Sequence, residues 1–335
     1  MAEVVVGIGM SHSPMVVAED TELWLALGKA DRHSPYLRDA SGAEIAFAEL
    51  ELRNRDRYAE QAAPEHLAAQ LEETRLAVRR LKEVFAAAEP DVAVVLGDDQ
   101  LELFDLANMP ALGVYYGERV VMATRTRFRD YRAIGFDPAL YTRGVGMDAA
   151  HVWPGHAPLG EHLIVSTIEQ GFDVAAVREA SSNGDGGGLG HAFGIVAVQL
   201  MDDEKLPFVP VFVNDYWSPN QVSPARCYAF GRALRHAIDT FPAELRVAVV
   251  ATGGLSHFVT NEELDRHVLD ALCAGDADAL TALPAARLNS GNSEIRNWIA
   301  LAAACEDKAV TPEAYIPVYR TAAGTGCGLA FATWS

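Results

Sequence analysis

The chain has 335 residues, half of them apolar, and a formal net charge of −19 from 27 basic and 46 acidic side chains. That length accommodates one large domain or two ordinary ones, since domains run to roughly 100–200 residues. The acidic balance argues against nucleic acid or an anionic membrane surface as the main partner. The four cysteines, Cys227, Cys273, Cys305 and Cys327, are widely spaced and form neither a CxxC pair nor a disulfide framework. They fit a reducing cytoplasm. No leader-like pattern opens the sequence and no apolar run reaches membrane-spanning length, so a soluble, cytoplasmic protein is expected.

In chain order, Val4–Val6 is a β-branched run that reads as a buried strand. Gly7 and Gly9 then read as a tight turn, which delivers Ser11-His12-Ser13 to the strand's C-terminal end before Pro14 stops it. Residues 19–60 mix charges with Pro35 and a short turn, and read as an irregular excursion with short helices. From Pro64 to Ala88 the pattern is helical, with Leu67, Leu71, Leu76, Val78, Leu81 and Val84 as the apolar stripe. Asp91–Leu96 is a second buried strand running into Gly97-Asp98-Asp99-Gln100. Strand, helix, strand is a crossover unit, so this loop is expected on the same sheet edge as His12.

Residues 101–120 carry apolar and aromatic side chains that line a pocket or belong to the core, and residues 124–158 read as a long loop region holding His151 and His156. A helix at 160–170 and a strand at 172–177 lead to the glycine-rich Ser181–His191. This run lacks the Lys-Ser/Thr of a phosphate-binding loop and the spacing of a dinucleotide fingerprint, so its use is to present His191. A strand at 207–213, a helix at 224–240 and a strand at 246–251 follow. The last ends in Thr252-Gly-Gly-Leu-Ser-His257, the same succession of strand, glycines and Ser-His found at the N-terminus. Helices at 261–273, 276–283 and 292–305 and a glycine-rich turn feeding a final strand close the chain.

Ligands in open α/β sheets bind beyond the carboxyl ends of the strands. His12, Asp98, Asp99, Gln100 and His257 stand at three such ends, and His191 joins them from its loop. Glu294 falls in the first turn of a helix that Asn292 or Ser293 can cap, where an acid also complements the helix dipole. Histidines with a carboxylate suit non-haem Fe(II) and oxygen chemistry or a catalytic Zn(II), and spacing does not choose between them.

Taken together, Gly9-Met-Ser-His12, Val94–Gln100, Gly188-Leu-Gly-His191, Val213-Asn with Ser223–Tyr228, Thr252–His257 and Ser293–Trp298 resemble the class III extradiol ring-cleaving dioxygenases. That superfamily includes the protocatechuate 4,5-dioxygenase catalytic subunit and the 3-O-methylgallate dioxygenases. The resemblance spans nearly the whole chain and implies one α/β domain over residues 1–335, a mixed sheet flanked by helices. It implies His12 and Glu294 as two ligands of Fe(II), His257 as the acid–base histidine, and His191 as a second histidine that hydrogen-bonds substrate or oxygen. A small aromatic substrate, O2 and self-association as a homo-oligomer are implied as partners.

The departure lies on the second strand. The protocatechuate-type pattern ends there in Asp-His, the histidine being the third ligand, whereas Asp99 is followed here by Gln100 and Leu101. Gln100 is left to coordinate through its amide oxygen, with Asp98, Asp99 or a histidine from elsewhere as alternatives. The expected function is ring cleavage of a catecholic or gallate-type aromatic. The rivals are a metal-poor relative serving as a binding or companion subunit, and a metal-assisted hydrolase on the same scaffold. Tyr216, Trp217 and Phe104 are expected to shape an aromatic pocket or to be plain core.

Overall fold

The computed structural model describes residues 1–55, 57–124, 138–180, 187–201 and 206–335. Most of the glycine-rich run, residues 181–186, and residues 125–137 of the expected long loop lie outside the described residues.

β-Branched runs build the centre of the molecule. Strands β1 (Glu3–Met10), β2 (Val92–Gly97), β3 (Leu112–Tyr115), β4 (Arg119–Val121), β5 (Val152–Pro154) and β6 (Ala175–Val177) come from the first half. The second half supplies β7 (Phe208–Val213), β8 (Arg246–Thr252), β9 (His257–Val259), β10 (Val310–Tyr319) and β11 (Thr325–Trp334). One sheet takes the order β10-β11-β1-β8-β2-β7-β3-β6, with β9 pairing on β11, and β4 and β5 form a separate ribbon. The pairs β1/β8, β8/β2 and β2/β7 are parallel, while β1/β11, β10/β11 and β3/β7 are antiparallel. The sheet is thus mixed, as expected.

Every residue of β2 and β7 is buried, which is why both read as unbroken apolar runs rather than as alternating ones. Helices cover both faces. Helices α1 (Glu22–Asp31) and α3 (Pro64–Ala87), on either side of the short α2 (Phe47–Asn54), pack on one face through Trp24, Leu67, Leu71 and Leu81. Further along the chain come α4 (Pro138–Gly144), α5 (Ala157–Glu169) and α6 (His191–Ile195). Then α7 (Pro224–Asp239), α8 (Glu262–Ala274), α9 (Ala277–Thr281) and α10 (Ile295–Ala304) follow. Of these, α7, α8 and α10 cover the second face through Phe230, Leu234, Leu264 and Trp298.

Three readings change. The helix at 64–87 carries its stripe as expected except for Leu76, which is 48 % exposed. Gly7 and Gly9 do not make a turn: β1 runs on to Met10, and both glycines are there for close packing. A Cβ on Gly7 would lie 2.7 Å from Cys305 Sγ, and one on Gly9 would overlap the Trp298 ring. Finally, β10 was not expected at all, because Pro312 and Pro317 stand in it. Being at the sheet edge and paired only with β11, it tolerates residues without an N–H to donate.

Candidate metal centre

The run of parallel strands β1-β8-β2-β7 brings four C-terminal ends to one sheet edge. They carry His12, the segment Thr252–His257, the segment Asp98–Gln100, and Asn214-Asp215. Glu294 arrives from the other side, at the end of a 3-10 turn (Ser290–Glu294) leading into α10. It stands at the N-cap and not in the first helical turn, and neither Asn292 nor Ser293 caps the helix. Asn292 Oδ1 instead accepts the His257 backbone N–H at 2.9 Å. Gly253, at φ 133°, lets the β8 loop pass so close that a Cβ there would lie 2.7 Å from Glu294 Cβ.

Glu294 is fully buried and joins the site together. Its Oε2 accepts the Gly254 N–H at 2.8 Å and lies 3.2 Å from His12 Nε2. Its Oε1 lies 3.2 Å from His257 Nε2 and accepts from Gln100 Nε2 at 3.5 Å. Burial alone would raise this carboxyl's pKa, but the His257 and His12 imidazoles outweigh it and hold the group well below the usual carboxylate range. Burial likewise opposes charge on His12 and His257, and Glu294 overcomes it, so both imidazoles are shifted upward, His257 strongly.

The three histidines share one arrangement. His12 Nδ1 lies 3.2 Å from Thr252 Oγ1, whose own proton goes to the Leu96 carbonyl at 3.4 Å. His191 Nδ1 lies 2.7 Å from Glu102 Oε1, and His257 Nδ1 lies 3.3 Å from the Leu255 carbonyl. With each Nδ1 on an oxygen, each Nε2 faces the site, and those of His12 and His257 meet the Glu294 carboxylate. An imidazole oriented through Nδ1–H to an oxygen is the usual support for a metal-facing histidine.

One donor atom each from His12, Asp98 and His191 lies within 4.8 Å of the others. Buried nitrogen and carboxylate donors at that separation fit a first-row divalent cation.

A family model described as the catalytic LigB subunit of aromatic ring-opening dioxygenase matches residues 77–329. The chain belongs to this family. Gallate dioxygenase of Pseudomonas putida is 33 % identical over 159 residues, covering 43 % of this chain and 44 % of that protein. The chain therefore spans less than half the length of that curated relative. The crystal structure of the uncharacterized protein JW3007 from Escherichia coli K12 aligns with a TM-score of 0.44 at 13 % identity, over 98 % of each chain.

The acidic loop of this LigB-family chain divides its labour. Asp99 accepts the backbone N–H groups of Leu101, Leu103 and Phe104 at 3.1, 2.9 and 3.2 Å, and its carbonyl accepts the Trp217 indole N–H at 2.9 Å. It shapes the loop. Asp98 is 1 % exposed, neither of its carboxylate oxygens has a hydrogen-bond partner, and Oδ1 lies 3.9 Å from His12 Nε2. Burial, reinforced by Glu294, pushes its pKa upward.

The motif after Glu294 is an anchor for the loops around it. The buried Arg296 guanidinium donates to the carbonyls of Val222, Asp215, Leu288 and Ser293, at 2.5, 3.2, 2.8 and 3.3 Å. Asn297 Nδ2 donates to Asp215 Oδ2 at 3.2 Å and to the Thr252 carbonyl at 3.0 Å. Trp298 Nε1 donates to the Gly253 carbonyl at 3.2 Å. Glu102, Asp215 and Asn297 were not singled out in the sequence. Glu102 stands two residues beyond Gln100, whose backbone N–H it accepts at 2.5 Å, and its contact with His191 is what brings it into the site.

Of the expected aromatics, Phe104 packs edge-on against Phe212 at 5.1 Å, with the core. Tyr216 contacts Trp217 at 5.3 Å and Tyr36 at 6.4 Å, and Tyr36 also meets Phe258 at 5.6 Å, beside His257. His151 pairs with Asp148 at the surface, and His156 caps α5 by accepting the Leu159 N–H. Neither joins the centre.

Proposed function

We propose that this chain is a non-haem Fe(II)-dependent extradiol dioxygenase that opens the ring of a catecholic or gallate-type aromatic and inserts both atoms of O2. The observation that carries the reading is Glu294, a buried carboxylate held at 3.2 Å from the Nε2 atoms of both His12 and His257. His12 and Glu294 are the ligands this reading assigns, and bound Fe(II) supplies Lewis acidity toward the phenolic oxygens and electrons toward O2.

The protein's own groups do the rest. A catechol must lose protons to act as a chelate, and His257, whose Nε2 faces the site beside Glu294, is the acid–base group this reading assigns to exchange one. Its Nδ1–H stays on the Leu255 carbonyl, which keeps the ring in one orientation. His191, held by Glu102, offers a second Nε2 to substrate or oxygen. Burial of His12, Asp98, His191 and Glu294 excludes water from the reacting groups. Tyr36, Tyr216 and Phe258 offer aromatic faces at the His257 side.

No helix among the described residues is long and apolar enough to cross a membrane, and four free cysteines suit a reducing cytoplasm. Gln100 in the position of a histidine motivates the second reading, a metal-poor companion subunit. Anaerobic loading with Fe(II), followed by oxygen uptake over a panel of catechols and gallates, separates the two. Uptake with both atoms of isotopically labelled O2 in the product supports the dioxygenase. A protein that takes up no metal and consumes no oxygen with any of them is the companion.

A further inference from the structure

We propose that Asp98 is an inner ligand of the divalent cation in this chain, taking the coordination position that Gln100 leaves open. The proposal rests on the reading of the site as a metal centre and adds the identity of a ligand.

The environment of the carboxylate calls for a cation. Asp98 is 1 % exposed and both its oxygens lack a hydrogen-bond partner. A buried carboxylate in that state is costly unless a cation meets it. The nearby buried acids Glu294 and Glu102 oppose its charge further. The buried arginine of this region, Arg296, spends its guanidinium on four backbone carbonyls. His12 and His257 are turned to Glu294, and a dication would meet the charge of Asp98 that they leave.

Asp98 also stands beside an assigned ligand. His12 has Nδ1 committed to an oxygen, and its donor atom lies with those of Asp98 and of His191, the histidine facing substrate, inside a 4.8 Å group. Asp98 Oδ1 is 3.9 Å from His12 Nε2, a separation that two ligands of one ion can have.

The neighbours of Asp98 in the loop are otherwise engaged. Asp99 is saturated by three backbone N–H groups. Gln100 is neutral and turns its amide toward Glu294 at 3.5 Å. An anionic oxygen binds Fe(II) or Mn(II) more firmly than an amide oxygen does.

The test uses the metal-free full chain with Mn(II) as the probe, and binding is read from the free-ion paramagnetic resonance signal. Asp98→Asn and Asp98→Ala should each weaken Mn(II) binding by about 10-fold or more, the least that loss of a ligand costs when removing a partner hydrogen-bonded behind a ligand costs that much. Gln100→Ala should stay within about threefold of wild type, and His12→Ala is the control for the site. Adding Gln100→His to Asp98→Asn should restore binding, because both positions then address one coordination place. Without metal, Asp98→Asn should melt no lower than wild type, since it removes a buried unpaired charge; Mn(II) should raise the melting temperature of wild type more than that of Asp98→Asn. Wild-type affinity in both Asp98 variants, or a loss in Gln100→Ala as large as theirs, overturns the assignment. A wild-type chain that binds Mn(II) through Asp98 but consumes no O2 with any catechol overturns the dioxygenase reading and leaves the ligand standing. A wild-type chain that binds neither Mn(II) nor Fe(II) overturns both.

Discussion

Trp298 lies across Gly9 so closely that a Cβ on Gly9 would be 2.4 Å from its Cζ3. The ring cannot yield: Trp298 is fully buried, and its indole N–H is tied to the Gly253 carbonyl in the loop that passes Glu294. Gly9→Ala should therefore displace β1 three residues before His12 and destabilise the fold. Overpacking of this kind costs roughly 1–3 kcal/mol. Urea unfolding measures it, and an unchanged midpoint would show that the strand can shift freely.

Glu102 is the buried partner of His191 Nδ1, at 2.7 Å. If the proposed ring cleavage holds, Glu102→Ala should free the ring to rotate and lower kcat/KM for the proposed aromatic substrate by about 10–100-fold, the usual scale for losing a partner behind a site histidine. Steady-state oxygen uptake reads this out, with circular dichroism as the check on folding.

Asp31 and Arg320 form a buried two-pronged ion pair, at 3.0 and 3.1 Å, that ties α1 to the turn between β10 and β11. Asp31→Asn leaves the guanidinium buried without its counter-charge, which should cost about 3–5 kcal/mol. The denaturant midpoint should fall accordingly. A loss below about 1 kcal/mol would mean that the pair behaves as a solvated one.

Asp265 is fully buried and accepts from Ser256 N and Oγ and from the Tyr315 hydroxyl, at 2.8, 2.7 and 2.8 Å. Burial outweighs these bonds and pushes the carboxyl from 3.8 up to about 7. The folded chain then keeps a proton that the unfolded chain releases. The associated stability is complete below about pH 4 and is lost as pH rises to about 7, up to about 4 kcal/mol in all. Unfolding midpoints between those limits should fall in wild type relative to Asp265→Asn. A difference that does not vary with pH would exclude the effect.

Much of the site's location was legible in local sequence. Val4–Val6, Asp91–Leu96 and Arg246–Ala251 announce strands by composition, and His12, Asp98–Gln100 and His257 follow at their ends. A crossover unit forces parallel neighbours to share an edge, so convergence followed without knowledge of the strand order. Where a residue's meaning came from its packing partner, the reading went astray. Gly9 looked like a turn because Trp298 stands far along the chain, and β10 was hidden because proline counts against a strand except at an edge.

By itself, then, the sequence determined the α/β class, the strands that carry the site, and the set of histidines and acids at their ends. Only the tertiary structure decided their roles. Asp98 and Asp99 are chemically identical neighbours, yet one meets three backbone N–H groups and the other meets none. Glu294 and Glu102 become the partners of His12, His257 and His191 through contacts between distant segments. Strand formation is dictated by side chains a few residues apart, whereas the state of a buried charge is set by whatever the fold brings within about 4 Å of it.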